Sequence, residues 1–468
     1  MKQKEDFDFL CVMTKIGLVF LLLVSFTIKA QNHIKVYFTQ PVDVSISSGI
    51  NAQWLNGATD DTLVAYINRA KFSIDIAVYS YDQSSGMANI ATAVNQAYLS
   101  GKKVRWIYNG SSGNSGLTSL NSGIKTLASP TSANYGIMHN KFVVIDASSS
   151  NPNDPIVWTG SCNWNKEQVT NDENNLVVIQ DQSLALAYLN EFNEMWGSTT
   201  ITPNPTLAKF GPDKSDNTVH YFTIDGKTVE CYFSPSDHTN NHLINLINSA
   251  DNDLNFGVYT FTRQDIADTI AYKIAHGVVT TGIMDQYSLG FSAYNTLSPI
   301  MANNLKIYSD PNYIYHSKHM IVDACSPSSD PAVEVGSHNW SIAADTKNDE
   351  NILIIHDDTI ANIFLQAYKA SFNRLSGVFP ACTINNVEDE FQDVQIYPNP
   401  TNSEIHLKGF DGNIHLIEMV DVLGKIVYAS SKFDSSILID VSYLNEGIYF
   451  LKLKMEKGTV VKKIIINK

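Results

Sequence analysis

An α/β (α+β) fold built from two copies of one domain, followed by a small all-β sandwich, is what this sequence of 468 residues predicts. Three observations predict it. The chain repeats itself: Ile74-Asp-Ile-Ala-Val-Tyr-Ser-Tyr81 matches Leu254-Asn-Phe-Gly-Val-Tyr-Thr-Phe261, and three later segments recur at offsets between 176 and 180. Within each copy, short β runs alternate with helical stretches. Beyond Cys382 the pattern changes to short alternating runs broken by turn signals.

Taken in chain order, the first element is a leader. Ile16–Phe26 (IGLVFLLLVSF) is apolar, preceded by Lys15 and followed by an Ala30-Gln31 exit. It is shorter than the ~20 residues of a membrane span and matches a signal-peptide core. Residues 1–30 are therefore expected to be a signal peptide, with Met1 or Met13 as the start, and the remainder to be extracytoplasmic. The first copy occupies 31–200, a Pro- and Asp-rich connector 201–218, the second copy 219–382, a polar linker 383–390 and the β module 391–468. Helices are expected over Thr62–Ala70, His242–Ala250, Met87–Leu99 and Gln264–His276, and the 74–81 and 254–261 runs are read as strands of a mainly parallel or mixed sheet. In the tail, strands are expected at Val394–Tyr397, Ile405–Leu407, Lys425–Tyr428, Ile437–Val441, Ile448–Leu453 and Val460–Ile466.

Composition narrows the function classes. Hydrophobic residues make up 44% and charged ones 17%, which is globular usage rather than the signature of disorder. The net charge of −15 removes the chain-wide basic footprint of a non-specific nucleic-acid binder, while leaving room for a local basic cleft. The five cysteines are scattered with no C-x-x-C pair, so no metal and no cofactor is implied. The four beyond the leader allow up to two disulfides in three connectivities.

The chemistry lies in the later repeated segments. HNKFVVID (139–146) matches HSKHMIVD (316–323), GSCNW (160–164) matches GSHNW (336–340), and NDEN recurs at 171–174 and 348–351. Period two places His139 with Lys141, and His316 with Lys318, on one strand face: an imidazole beside a fixed cation. Asp146 and Asp323, seven positions on, fall on the opposite face and read as structural. After the next strand, Ser161, Asn163, Ser337 and Asn339 can aim hydroxyls and amides at an oxyanion. Glu173 and Glu350 each follow their histidine by 34 residues, the spacing expected of a carboxylate that bonds the imidazole and fixes its tautomer. Trp164 and Trp340 are read as packing beneath the site. A lone His-x-Lys-x₄-Asp is weak evidence, but two copies with matching tails are not dismissed as chance.

These residues resemble the phospholipase D superfamily, the HKD phosphodiesterases, over about residues 40–380. The resemblance implies two repeats packed as a pseudo-dimer around one cleft that gathers His139, Lys141 and Asn163 with His316, Lys318 and Asn339. It further implies that one histidine attacks phosphorus and the other protonates the leaving oxygen, with His139 the nucleophile and His316 the acid/base. Lysines and asparagines can stabilise the non-bridging oxygens without a metal. A histidine near its ordinary pKa of ~6.5 can donate the proton.

The tail, with Ile396-Tyr-Pro-Asn-Pro-Thr401, Asp421-Val-Leu-Gly-Lys425 and Leu444-Asn-Glu-Gly-Ile-Tyr449, resembles the C-terminal sorting domain of type IX secretion. This implies a Bacteroidetes-type source, type IX machinery as a partner and a secreted or cell-surface location. The substrate reading is a phospholipid, cleaved to phosphatidic acid and a free head group. The alternatives are a secreted nuclease acting on DNA or RNA, and a non-catalytic binding protein. Contact with a lipid surface would have to come from loops such as Tyr287–Tyr294, with Leu289 and Phe291.

Overall fold

A computed structural model describes residues 32–84, 87–382, 395–408, 414–421, 425–431, 437–455 and 458–468. The signal peptide and the 383–390 linker lie outside them. The described residues divide into two compact units, up to Phe379 and from Pro380.

The first unit holds both repeats. Strands β1 (Ile34–Phe38), β2 (Gln53–Trp54), β3 (Ser73–Val78), β4 (Lys103–Tyr108), β5 (Lys125–Ala128), β6 (Lys141–Ile145), β7 (Ile156–Gly160) and β8 (Asn175–Ile179) form one sheet in the order β2-β1-β8-β7-β6-β3-β4-β5. The second sheet comprises β9 (Tyr221–Ile224), β10 (Lys227–Ser234), β11 (Asp253–Val258), β12 (Val279–Asp285), β13 (Leu305–Tyr308), β14 (Lys318–Val322), β15 (Ala332–Gly336) and β16 (Glu350–His356). Its order, β9-β10-β16-β15-β14-β11-β12-β13, repeats that of the first sheet except at the edge, where β9 precedes β10 and pairs antiparallel while β2 follows β1 and pairs parallel.

Both sheets are mixed. Only β3-β4-β5, β11-β12-β13 and the β1-β2 edge are parallel. The remaining ladders are antiparallel, so of the two forms expected, mainly parallel or mixed, the sheets take the mixed one. The cause is connection length: helix Ala88–Leu99 separates β3 from β4, as a parallel crossover requires, whereas a short loop joins β6 to β7.

Helices cover both faces of each sheet, so β6 (KFVVI) and β14 (KHMIV) are buried throughout. In repeat 1, helices Thr59–Ile67 and Ala88–Leu99 close a core containing Ile74, Ile76, Val143 and Trp158. In repeat 2, helices Thr239–Ser249 and Gln264–Ala275 do the same over Leu254, Phe256, Met320 and Val322. The opposite faces carry the two long helices, Gln182–Trp196 and Asp358–Arg374, each N-capped by an aspartate, Asp181 or Asp357.

These helices also join the repeats. Tyr188 packs edge-on against Phe233 (5.0 Å), and Phe364 against Phe38 (5.3 Å). Gln366 accepts from the Ala52 amide and donates to the Ile50 carbonyl. The 201–218 connector packs too: Lys214 is buried, ion-paired with Glu191 and with Asp349, and donates to the Ser234 carbonyl. Burial alone would lower the Lys214 pKa, but Glu191 and Asp349 outweigh it and raise it.

The second unit is a sandwich. β17 (Gln395–Tyr397), β18 (Glu404–Lys408) and β21 (Ile437–Asp440) form one sheet; β19 (Ile414–Asp421), β20 (Ile426–Ser430), β22 (Gly447–Met455) and β23 (Gly458–Ile466) form the other. Ile405, Leu407 and Ile439 share one core with Ile417, Met419, Leu451 and Ile464. β19 is additional to the expected strands; its alternation is broken by register shifts between Ile414 and Leu416 and between Met419 and Val420. Cys162 and Cys231 are free and buried, so the two bridges that four cysteines would allow do not both form; Cys325 and Cys382 are each disulfide-bonded.

Glu334 breaks the symmetry of the cores. It occupies the β15 position that Trp158 fills in β7, between Met320 and Ile354, and neither carboxyl oxygen has a partner. Burial raises its pKa well above 4.5, so the folded protein holds it protonated. Below about pH 4.5 both states bind the proton; above it the unfolded chain releases the proton first, and stability falls as pH rises through the folded pKa. Glu334→Gln should therefore melt higher than the parent at pH 7, with the gap shrinking toward pH 4.5. Thermal melts between pH 4 and 8 check this; a pH-independent gap would contradict it.

Candidate active site

The site begins with an exchange of backbone between repeats. Met138 forms a β-bridge with Asp349, and Tyr315 with Glu173. The His139 amide donates to the Asp349 carbonyl (2.9 Å) and the Asp349 amide to Ile137 (3.0 Å); the His316 amide donates to Glu173 (3.0 Å) and the Glu173 amide to Ile314 (3.1 Å). Each histidine is thus pinned by the NDEN segment of the other repeat.

The exchange brings the two motifs together. Lys318 acts electrostatically on His139, and Lys141 and His139 act on His316. Both lysines are buried and fold back on their own motif, Lys141 Nζ onto the His139 carbonyl (2.6 Å) and Lys318 Nζ onto the His316 carbonyl (2.5 Å). Asn163 lies beside them with an unpartnered Oδ1, and the Asn339 Oδ1 accepts from the Thr260 amide (3.3 Å). The structure therefore brings His139, Lys141, His316 and Lys318 together where the repeats meet, while Asn163 and Asn339 have side-chain hydrogen bonds only within their own repeats, or none.

The aspartates lie elsewhere. β6 starts at Lys141 and Asp146 follows it at φ +53°, so neither His139 nor Asp146 belongs to a regular strand. Asp146 accepts from the amides of Lys71, Phe72 and Ser73 at 2.7–2.8 Å; Asp323, also at φ +53°, accepts from Asp251, Asn252 and Asp253. They tie the start of β3 and β11 to the end of β6 and β14. Trp164 and Trp340 are buried in the cores of their repeats.

Three expectations are corrected. First, the carboxylates do not serve their own histidines. Glu350 accepts from Nδ1 of His139, across the interface (2.7 Å), whereas Glu173 bonds Ser371 and Arg374. His316 Nδ1 meets the Asn174 Oδ1 instead (3.0 Å), an oxygen fixed as acceptor because the Asn174 amide nitrogen donates to the Gln168 carbonyl. Fixed sequence spacing cannot reveal a bond exchanged between copies.

Second, the Ser161 hydroxyl donates to Asn174 (2.8 Å) and the Ser337 hydroxyl to Glu350 (2.8 Å), so both orient the groups that hold the histidines rather than facing an oxyanion. Third, neither the lysines nor His316 keep their ordinary pKa values. Burial pushes Lys141 down to about 7 and Lys318 well below its ordinary range, with Lys141 adding repulsion to the latter. Burial likewise lowers His139 to about 4, against the pull of Glu350, and His316 well below 6.5. Glu350 itself, which burial would raise, is drawn down to about 2 by His139 and Lys141. The Glu350 carboxylate holds Nδ1 of His139, which leaves Nε2 of the same ring free to face a substrate.

Sequence reasoning missed Asn174, Tyr79 and Tyr259. Tyr79 lies 5.2 Å from the His139 ring and 5.5 Å from Lys141 Nζ; Tyr259 lies 5.3 Å from His316 and 5.1 Å from Lys318. Their signal was present, since both occupy the same position of the repeated strand. Among the described residues, one set of potential metal ligands gathers, Asp216, His220 and Asp237, and it shares no member with this site.

Two mixed sheets related by duplication, with a His-Lys pair from each where they meet, define a duplicated α/β fold built around one candidate site. The family described as "Cardiolipin synthase, PLD-like domain" matches residues 63–196 and 243–375, and the chain belongs to this phospholipase D-like family. A secretion system C-terminal sorting domain matches residues 395–467 and marks the protein for export. Among curated proteins, the chain is 29% identical over 105 residues to mitochondrial cardiolipin hydrolase of Canis lupus familiaris, covering 22% of this chain and 37% of that protein. It is 27% identical over 158 residues to that of Xenopus tropicalis, covering 33% and 67%. A phosphatidylserine synthase structure from Haemophilus influenzae Rd KW20 superposes with a TM-score of 0.52 at 14% identity, covering 74% of this chain and 86% of the other, a likeness of fold. No helix among the described residues is long and apolar enough to cross a membrane.

The unequal partners of the two histidines have a kinetic consequence. Glu350→Gln should lower kcat/KM for bis(p-nitrophenyl) phosphate by about 10²-fold or more, because a charge-assisted bond to His139 is lost. Glu173→Gln should cost less than about tenfold. Equal losses would show that both carboxylates serve the chemistry alike.

Proposed function

We propose that the protein is an exported phosphodiesterase of the phospholipase D type that hydrolyses glycerophospholipids to phosphatidic acid and a free head group. The observation that carries this reading is the pairing of His139 with Glu350 across an interface that also holds Lys141, Lys318 and His316. The phospholipid assignment draws on the named activity of the cardiolipin hydrolases and on the acidic balance of the chain, which disfavours a polyanionic nucleic acid.

In the free cleft, desolvation suppresses the charged forms of both lysines and of His316. A phosphodiester entering between them is an anion in a site of low dielectric, so it raises their pKa values and draws in protons. Lys141, Lys318 and the carboxamides of Asn163 and Asn339 then face the non-bridging oxygens. His139 Nε2 attacks phosphorus, forming a P–N bond as the P–O bond to the head group breaks; the departing oxygen takes the proton of His316. Glu350 stabilises the imidazole as it becomes positive. In the second step His316 accepts a proton from water, the oxygen attacks phosphorus, and the P–N bond breaks to release phosphatidic acid and neutral His139. The 1–30 leader and the 391–468 module are assigned to delivery through the inner membrane and the type IX machinery, to a secreted or surface location.

A covalent intermediate must partition between acceptors. With phosphatidylcholine, ethanol should divert product from phosphatidic acid to phosphatidylethanol while choline release continues. His139→Ala and His316→Ala should each cost about 10³-fold or more, and the double variant little beyond either. Chromatographic analysis of the lipid products decides it. Phosphatidic acid alone at high ethanol would exclude the phosphohistidine route, and DNA cleavage without choline release would transfer the site to nucleic acid.

A further inference from the structure

The loops that follow β4 and β12 occupy equivalent places in the two repeats, and a shared serine shows it. Ser112 Oγ donates to the Tyr79 carbonyl (3.0 Å) and Ser288 Oγ to the Tyr259 carbonyl (2.9 Å). Around that anchor the loops diverge. Repeat 1 has Asn109-Gly-Ser-Ser-Gly-Asn114, a polar turn that bonds to itself through Asn109 and Asn114. Repeat 2 has Gln286-Tyr-Ser-Leu-Gly-Phe291, in which the polar Ser288 is buried while Tyr287, Leu289 and Phe291 are 56%, 44% and 39% exposed.

This arrangement is inverted relative to what water selects, and the loop is held in it. Ser288 accepts from the Phe261 amide, and Asp285 accepts from the Tyr287 amide. The aromatic surface is continuous with the site: His316 to Tyr259 is 5.3 Å, Tyr259 to Tyr287 5.4 Å in a parallel stack, and Tyr287 to Phe291 6.2 Å. Large apolar side chains grouped on an exposed loop beside a cleft mark an interaction surface rather than scattered exposure.

We infer that Tyr287, Leu289 and Phe291 form an anchor that inserts into a zwitterionic phospholipid surface and seats the repeat 2 lip of the cleft against the head-group layer. The inference rests on the phospholipid reading above. Aromatic and aliphatic side chains of this kind partition into the interfacial region of a bilayer. The chain's net charge of −15 opposes both an anionic membrane and a nucleic acid, which leaves a surface without net charge as the occupant.

The test uses the full chain with Leu289→Ser and Phe291→Ser together. Phe291 is the N-cap of helix Ser292–Met301 and provides no side-chain cap, so serine there supports the helix rather than weakening it. Sedimentation with phosphatidylcholine vesicles, in a His139→Ala background that prevents turnover, should show binding reduced about tenfold or more by the double change. In the His139 background the double variant should turn over bis(p-nitrophenyl) phosphate within about twofold of the parent. Unchanged vesicle binding would overturn the anchor, even if phosphatidylcholine in detergent micelles is hydrolysed. Equal loss on the soluble substrate would place the loop in the chemical site, and loss of single-stranded oligonucleotide binding instead would make it a base-stacking platform. Failure of the parent to release choline from micelles tests the phospholipid reading separately.

Discussion

Everything in the catalytic half of this protein depends on two short β-bridges, Met138 with Asp349 and Tyr315 with Glu173. Each sends the NDEN segment of one repeat alongside the histidine of the other. The same bridges put Glu350 within reach of His139 and Asn174 within reach of His316. Buried partners reinforce them: Asp349 accepts from the Tyr135 hydroxyl and the Gly211 amide, and Asp172 from the Ile314 amide. Neither repeat supplies the side-chain partner of its own motif histidine, so the two copies together form one candidate site.

The cost of this arrangement is electrostatic. Two lysines and two histidines are buried together, with Glu350 hydrogen-bonded to His139 and Asp285 and Asp172 acting on Lys318, and desolvation lowers the pKa of every one of these bases. Such a site favours added negative charge, and an anionic phosphodiester supplies it. On the proposed function, an anion binding there raises those pKa values and draws in protons. Recognition of an anion and activation of the acid are therefore coupled by the same burial.

Duplication set up a symmetric frame, and substitutions at equivalent positions then divided the labour. Glu350 faces a histidine, while its counterpart Glu173 is held by Arg374 and Ser371 on the helix Asp358–Arg374. Trp158 fills a core where Glu334 stands unpartnered. One lip of the cleft is a polar Gly/Ser turn, the other an outward-facing Tyr287-Leu289-Phe291 surface. These differences give the two halves different chemistry around two copies of one motif.

The sequence by itself determined the duplication, the approximate places of four helices and of some of the strands, the sorting sandwich and the identity of the motif residues. It could do so because hydrophobic period, turn signals and internal matches are local along the chain. It also marked Asp146 and Asp323 as structural, although the positive φ that turns each onto three amides is a property of the fold. Only the tertiary structure decided which carboxylate serves which histidine, where the serine hydroxyls are spent, and which way Tyr287, Leu289 and Phe291 face. It also decided that burial lowers the pKa of both lysines. The physical reason is common to all of these: each depends on contacts between residues roughly 100–200 positions apart or on burial, and desolvation and cross-repeat hydrogen bonds come into being only when the two copies close on each other.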